Sequence, residues 1–150
     1  MMITVRRARI GDAATIAEFN RRMAWETEKK VLDAEKLRSG VEAVFGDPAK
    51  GFYIVGEMSG EVVAQLMVTY EWSDWRNGWF WWIQSVFVRE DARRGGVFRT
   101  LYAEVERQAN EAGNVIGIRL YVEKDNARAR TTYVNLGMHD AGYSVFEVCW

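Results

Sequence analysis

Residues 79–110 join three patterns that together leave few folds open. WFWWIQSVFV is an unbroken apolar run rich in aromatic and β-branched residues, REDARRGG is charged and contains glycine, and VFRTLYAEVERQAN repeats with a helical period. In the last of these, Val97, Leu101, Val105 and Ala109 recur every fourth residue, with Phe98 and Tyr102 widening the stripe. Arg99, Glu104, Arg107 and Gln108 fall off it. The segment therefore reads as a strand, a loop and a helix with one face for the core. A strand that is apolar on both faces belongs near the middle of a sheet, with helices on one side and more protein or an oligomer contact on the other.

Arg93, Arg94 and Arg99 surround Gly95-Gly96 where that helix must begin. The first four N–H groups of a helix lack internal partners and its dipole is positive at that end, so an anion is favoured there. Glycine lets a ligand approach the backbone closely. Two readings stand on these residues alone: a solvated turn carrying arginines, or a cradle for an anionic ligand.

With 150 residues, 49% of them hydrophobic and 27% charged, and a net charge of −1, the chain suits a soluble globular protein and one domain over residues 1–150. Near-neutrality argues against nucleic acid as a partner, because the arginine cluster is local. No apolar segment is long enough to span a membrane, and MMITVRRARI lacks the apolar core of a signal peptide, so a cytoplasmic location is expected. The single cysteine, Cys149, permits neither an internal disulfide nor a cysteine metal cluster, and is expected as a small core residue. His139 is the one histidine; no metal is expected.

The remaining elements follow from pattern. Residues 3–8 alternate as a first strand, and Asp12 is placed to cap a first helix over residues 13–23. Residues 25–30, WETEKK, read as a polar helix–helix connection, and Asp33 caps a second helix over residues 34–45 that Asp47-Pro48 stops. Residues 52–58 and 61–70 form a hairpin through Ser59-Gly60. Residues 71–78, EWSDWRNG, read as a second turn leading to the fourth strand. A fifth strand over residues 118–122 follows the third helix, and this crossover makes strands four and five parallel. Asp125 or Asn126 caps a fourth helix ending near Asn135, and the alternation in residues 139–150 should supply one or two closing strands.

Arg93-Arg94-Gly95-Gly96-Val97-Phe98, after a strand ending Val-Phe-Val, resembles the R/Q-x-x-G-x-G/A signature of the GCN5-related N-acetyltransferases. Residues 126–138, NARARTTYVNLGM, resemble that family's N-x-x-A-x-x-x-Y-x-x-x-G-F/M segment. The resemblance implies a mixed α/β fold: about seven strands, mostly antiparallel with strands four and five parallel at the centre, flanked by about four helices. It also implies an acetyltransferase that takes acetyl-coenzyme A (acetyl-CoA) and an amine acceptor, with a homodimer as a possible assembly. The pyrophosphate is expected on Arg93, Arg94, Gly95, Gly96, Val97, Phe98 and Arg99, and the pantetheine arm on Val86, Phe87, Val88 and Asn126. Phe98 departs from the signature, which has Gly or Ala there, so its ring is expected to point into the core.

Tyr133 matches the tyrosine that the family uses to donate to the leaving sulfur, and packing on the buried face of its helix is the competing account. Asn126 has a helix cap as its competing account. Where the family often has an acidic residue in the fourth strand, this chain has Gln84, which cannot take a proton. A base is then expected from Glu26, Glu28, Glu71 or Asp74, from a water on Gln84, or from no side chain if the amine binds neutral. Trp72, Asp74 and Trp75, with Glu26 and Glu28, are candidates to receive a cationic amine through cation–π and charge contacts, and the two tryptophans have an equal account as covers for the sheet end. A non-catalytic domain that binds acyl-CoA and senses it is the alternative function.

Overall fold

The computed structural model describes residues 2–150, which form β1 (Thr4–Arg7), α1 (Ala13–Glu28), α2 (Ala34–Gly46), β2 (Phe52–Met58), β3 (Glu61–Ser73), β4 (Gly78–Val88), α3 (Val97–Ala112), β5 (Val115–Leu120) and α4 (Ala127–Asn135). The chain divides into two units, Met1–Leu120 and Tyr121–Trp150. In the first unit the sheet order is β1-β2-β3-β4-β5. Every neighbouring pair is antiparallel except β4 and β5, which run parallel as the crossover through α3 requires. Ser59 and Gly60 both have positive φ, 51° and 79°, the primed-turn geometry that matches strand twist.

Alternation along the strands sorts side chains onto two faces. Tyr53 and Val55 of β2 pack with Ile16 of α1 and Val41 of α2, and Met67 of β3 joins them. The opposite face carries Phe52, Ile54, Leu66 and Val68, all buried. There Arg7 lies 3.6 Å over the Phe52 ring and its Nε donates to Gln108 of α3 at 2.9 Å. The α3 stripe is buried as its period demands, with Val97, Leu101, Val105 and Ala109 between 0% and 6% exposed.

Several local expectations change. The helix α1 runs on through residues 25–28, because that stretch holds neither Gly nor Pro and its residues are tolerable helix formers. It ends at Lys29, in left-handed geometry with φ 55°. Asp12 does not cap it: its carboxylate accepts from Arg6 at 2.8 Å and from the Arg9 amide at 2.8 Å. The Arg6 guanidinium holds that carboxyl below its ordinary range, with the Arg9 amide lowering it further. Glu71 and Trp72 lie in β3, paired with Phe80 and Trp79, so the turn shrinks to residues 74–77. The fifth strand starts earlier than expected, at Val115.

In the second unit Asn126 caps α4, its side chain accepting from the Ala129 amide at 3.1 Å. Gly137 follows with φ 92°. Residues 139–150 form no strand, which leaves five strands among the described residues in place of about seven. Alternation gives a strand its faces but not its neighbour, and without a ladder the pattern alone has no fixed structure. Cys149, in this arm, is exposed and not a core residue.

Candidate functional site

The parallel ladder between β4 and β5 covers only Trp79 to Ile83 of β4, whereas the antiparallel ladder with β3 continues to Val88. Along residues 84–88 one edge of β4 therefore has no neighbouring strand among the described residues. The β3–β4 register shifts at the same level, between Gln65 and Met67, so that Ser85 and Val86 together face Leu66. This is a β-bulge, and Ser85 sits in it with φ 51°. A non-glycine residue in that region costs on the order of 1–3 kcal/mol and needs support from its surroundings.

Support comes from a buried polar pair. Gln65 is fully buried and Asn20 is 8% exposed. Gln65 Nε2 donates to the Ser85 carbonyl at 3.1 Å and to Asn20 Oδ1 at 2.9 Å. A carbonyl can only accept, so it fixes which end of the Gln65 amide faces the bulge. Gln65 Oε1 is the buried side-chain atom left without a partner among the described residues. The Gln65→Leu variant keeps much of the volume and strands both acceptors. It is expected to cost about 2–3 kcal/mol, read as a lower urea midpoint at unchanged slope.

Past Val88 the chain makes a short turn over residues 90–92 and enters α3 through Arg94 (φ 68°) and Gly96 (φ 75°). Gly96 is the N-cap and offers no side chain to the first amides of the helix. A Cβ built on it would meet no protein atom within 4 Å, so internal packing does not demand glycine there. The backbone conformation and an open approach do. Arg94 and Arg99 are exposed at this helix start. Arg93 turns the other way: its Nε donates to the Val88 carbonyl at 2.7 Å and it pairs with Glu26 at 2.9 Å. Phe98 is half-buried with its ring 6.1 Å from that of Tyr102, whereas Val97 is the residue of the first turn that enters the core. Of the strand candidates, Phe87 is buried against Phe19 with centroids 4.8 Å apart, while Val86 and Val88 are half-buried.

Gln84 lies on the face that carries Met67, where its amide donates to Thr69 Oγ1. Farther along that face the Glu71 carboxylate accepts from Trp82 Nε1 at 2.8 Å and from Arg119 at 3.1 Å. The Arg119 guanidinium stacks 3.6 Å over Phe80. Neither the bulge nor this network was apparent in the sequence. A positive φ at a serine has no composition signal, and the ion pair joins residues far apart in the chain.

The predicted amine-binding residues separate into two places. Glu26 lines a surface depression with Arg22, Phe87, Arg89, Glu90 and Asp91, at the Val88 end of β4. Glu28 closes α1 nearby and pairs with Lys30 at 3.5 Å. Trp72, Asp74 and Trp75 belong to the β3–β4 hairpin tip, where Trp72 packs on Trp79 with centroids 4.9 Å apart and Trp75 is 87% exposed. The 11 residues of β4 separate that tip from Val88, on the order of 30 Å. The structure does not bring the two groups together. In the second unit, Tyr133 lies on α4, half-buried, with its phenol pKa raised by that burial. Among the described residues no helix is long and apolar enough to cross a membrane.

A solved structure described as a possible acetyltransferase from Clostridium difficile 630 is 46% identical, with a TM-score of 0.91, covering 100% of this chain and 99% of its own. A predicted acetyltransferase with acetyl-CoA from Clostridium acetobutylicum is 15% identical and shares the fold, at a TM-score of 0.81 over 98% of this chain and 96% of its own. Mycothiol acetyltransferase of Corynebacterium aurimucosum is 28% identical over 130 residues, 84% of this chain and 42% of that protein. The chain thus spans less than half the length of this curated relative. The Acetyltransferase (GNAT) family matches residues 13–138, a span that takes in the open edge of β4, the loop into α3 and α4, and the chain belongs to that family.

Proposed function

We propose that this protein is an acetyl-CoA-dependent N-acetyltransferase that moves the acetyl group to a primary amine of a small molecule or protein by direct transfer in a ternary complex. The observation that carries this reading is the open edge of β4 over residues 84–88, continued by a glycine-bearing helix start with two exposed arginines. Acetyl-CoA supplies an activated thioester. The backbone of Val86, Phe87 and Val88 offers N–H and C=O groups to an amide-bearing arm, as a strand edge does to a peptide. The first amides of α3, with Arg94 and Arg99, suit its phosphates. Arg93 serves the site indirectly, by tying the end of β4 to α1.

On the acceptor side, the face carrying Gln84, Thr69, Trp82 and Glu71 borders the bulge. Glu71 is already shared between Trp82 and Arg119, and Glu26 is paired with Arg93. This favours an acceptor that reacts as the neutral amine and loses its proton to water. Asn126, whose side-chain oxygen caps α4, keeps its amide N–H groups as donors for the arm, and Tyr133 is the donor to the departing sulfur; both roles follow from their motif. The same occupied carboxylates are what a binding-only domain would show, so the deciding measurement reads binding and chemistry together. Calorimetric binding of acetyl-CoA with release of free thiol over a panel of amines is the expected result. Binding without release on any amine would leave a sensing domain, and absence of both would remove the reading.

A further inference from the structure

Away from the bulge, the face of β4 that carries Gln84 continues through Trp82 to Phe80. Its side chains are half-buried, whereas Trp81 and Ile83 of the opposite face are buried. At its far end the Phe80 ring lies on β5 over Gly117, where a Cβ would stand 2.7 Å from a ring carbon. Phe80 thus takes the room of a β5 side chain. Two guanidinium groups lie against this ring, Arg119 at 3.6 Å and Arg76 at 5.2 Å from its centroid.

The charges around that ring do not balance. Glu71, opposite Phe80 in the β3–β4 ladder, is bound to Arg119. Arg76 donates to Ser73 Oγ at 3.3 Å and makes no ion pair among the described residues. Two cations beside one ring repel each other, and a carboxylate received by both relieves that repulsion. A phosphate dianion would exceed the one unmatched charge and face Glu71, so a carboxylate fits better. Four strand steps separate Phe80 from Gln84, about 13 Å. Three to four extended peptide residues span that distance.

We propose that the acceptor is the amino terminus of a peptide with a carboxylate three or four residues on, its amine at Gln84 and its carboxylate between Arg76 and Arg119. This rests on the N-acetyltransferase reading and narrows it. Glu71 and Glu26 are already engaged, so the amine has to arrive neutral. A peptide α-amine, with a pKa of about 7.7–8.0, does so near neutral pH, and a lysine amine, at about 10.4, does not. The carboxylate takes no part in making or breaking bonds. It selects which amines reach the thioester.

Triglycine and tetraglycine are compared with their carboxamides, by calorimetry in the presence of coenzyme A and by thiol release from acetyl-CoA. The free acids are expected to show Kd and KM at least about tenfold lower than the amides, an advantage that shrinks for diglycine, whose carboxylate falls short. Amidated hexapeptides with Gly or Asp at the third position show whether a side chain of a longer chain serves as well as the end of a short one. In Arg76→Gln the advantage should largely vanish at unchanged circular dichroism, and Arg76→Lys should keep part of it. Equal affinities with and without the carboxylate, no binding of any peptide, or an advantage that survives Arg76→Gln overturns the proposal. Should Arg76→Gln not fold, the unaltered chain decides: an advantage as large for diglycine as for tetraglycine refutes the placement. Acetyl transfer that ignores the carboxylate sinks this proposal and leaves the N-acetyltransferase reading intact. Tighter binding of the acids without thiol release on any amine keeps the carboxylate site and removes that reading.

Discussion

Tyr133→Phe is expected to lower turnover by about 100-fold to 10,000-fold, the range of a lost general acid, while the protein melts within a few degrees of the parent and still binds acetyl-CoA. The substitution deletes one hydroxyl and keeps the ring, so it separates donation to a thiolate from packing on α4. Tyr133 lies seven residues beyond Asn126, about two helical turns, which puts both on one side of that helix. Burial raises the phenol pKa above its ordinary value near 10, and the group therefore stays protonated through the neutral range in which a thiol leaving group departs. The proton is present to be given until the medium is strongly alkaline, and the pH profile should show no falling limb from this group below about pH 10. Full turnover in a well-folded Tyr133→Phe protein would assign the tyrosine to packing.

Removing positive charge at the start of α3 should act on binding. Arg94→Ala is expected to weaken acetyl-CoA affinity by up to about 100-fold and to flatten its dependence on salt, since charge-assisted contacts are worth roughly 1.5–3 kcal/mol each. Gly96→Glu should be at least as severe. It places an L side chain at φ 75° and a carboxylate where phosphates would lie, although no neighbouring protein atom obstructs it. Arg93→Ala supplies the contrast, because that guanidinium holds the Val88 carbonyl and Glu26: its loss should appear chiefly as lower stability. Calorimetry on the three proteins checks the pattern, and unchanged affinity for both Arg94→Ala and Gly96→Glu would remove the phosphates from this loop.

The frame was legible because its signals are periodic. The α3 stripe, the Ser59-Gly60 hairpin, the Asp33 and Asn126 caps and the parallel placement of β4 and β5 each follow from spacing or from one residue with a known preference. What escaped is tertiary. Arg93 fits a phosphate signature yet faces Val88 and Glu26, a choice made by residues 67 apart in sequence. The end of α1 carries no periodic signal, because the apolar stripe stops before the helical backbone does. The last 12 residues alternate well enough to suggest strands, but pairing depends on a neighbour that sequence pattern does not name.

The bulge at Ser85 and Val86 also sets a rule about chain length. Gln84 and Phe87 lie on the same face of the sheet although one position is even and the other odd, because two residues of β4 answer to Leu66 alone. Losing one residue here would restore strict alternation with Gln84 still opposite Met67 and Phe87 still opposite Gln65, so the Phe87 ring would keep its place on Phe19. A single deletion between Gln84 and Phe87 should thus leave both faces of β4 intact and disturb only the Ser85 carbonyl that Gln65 holds, since parity is a property of the count and the bulge carries the one residue to spare.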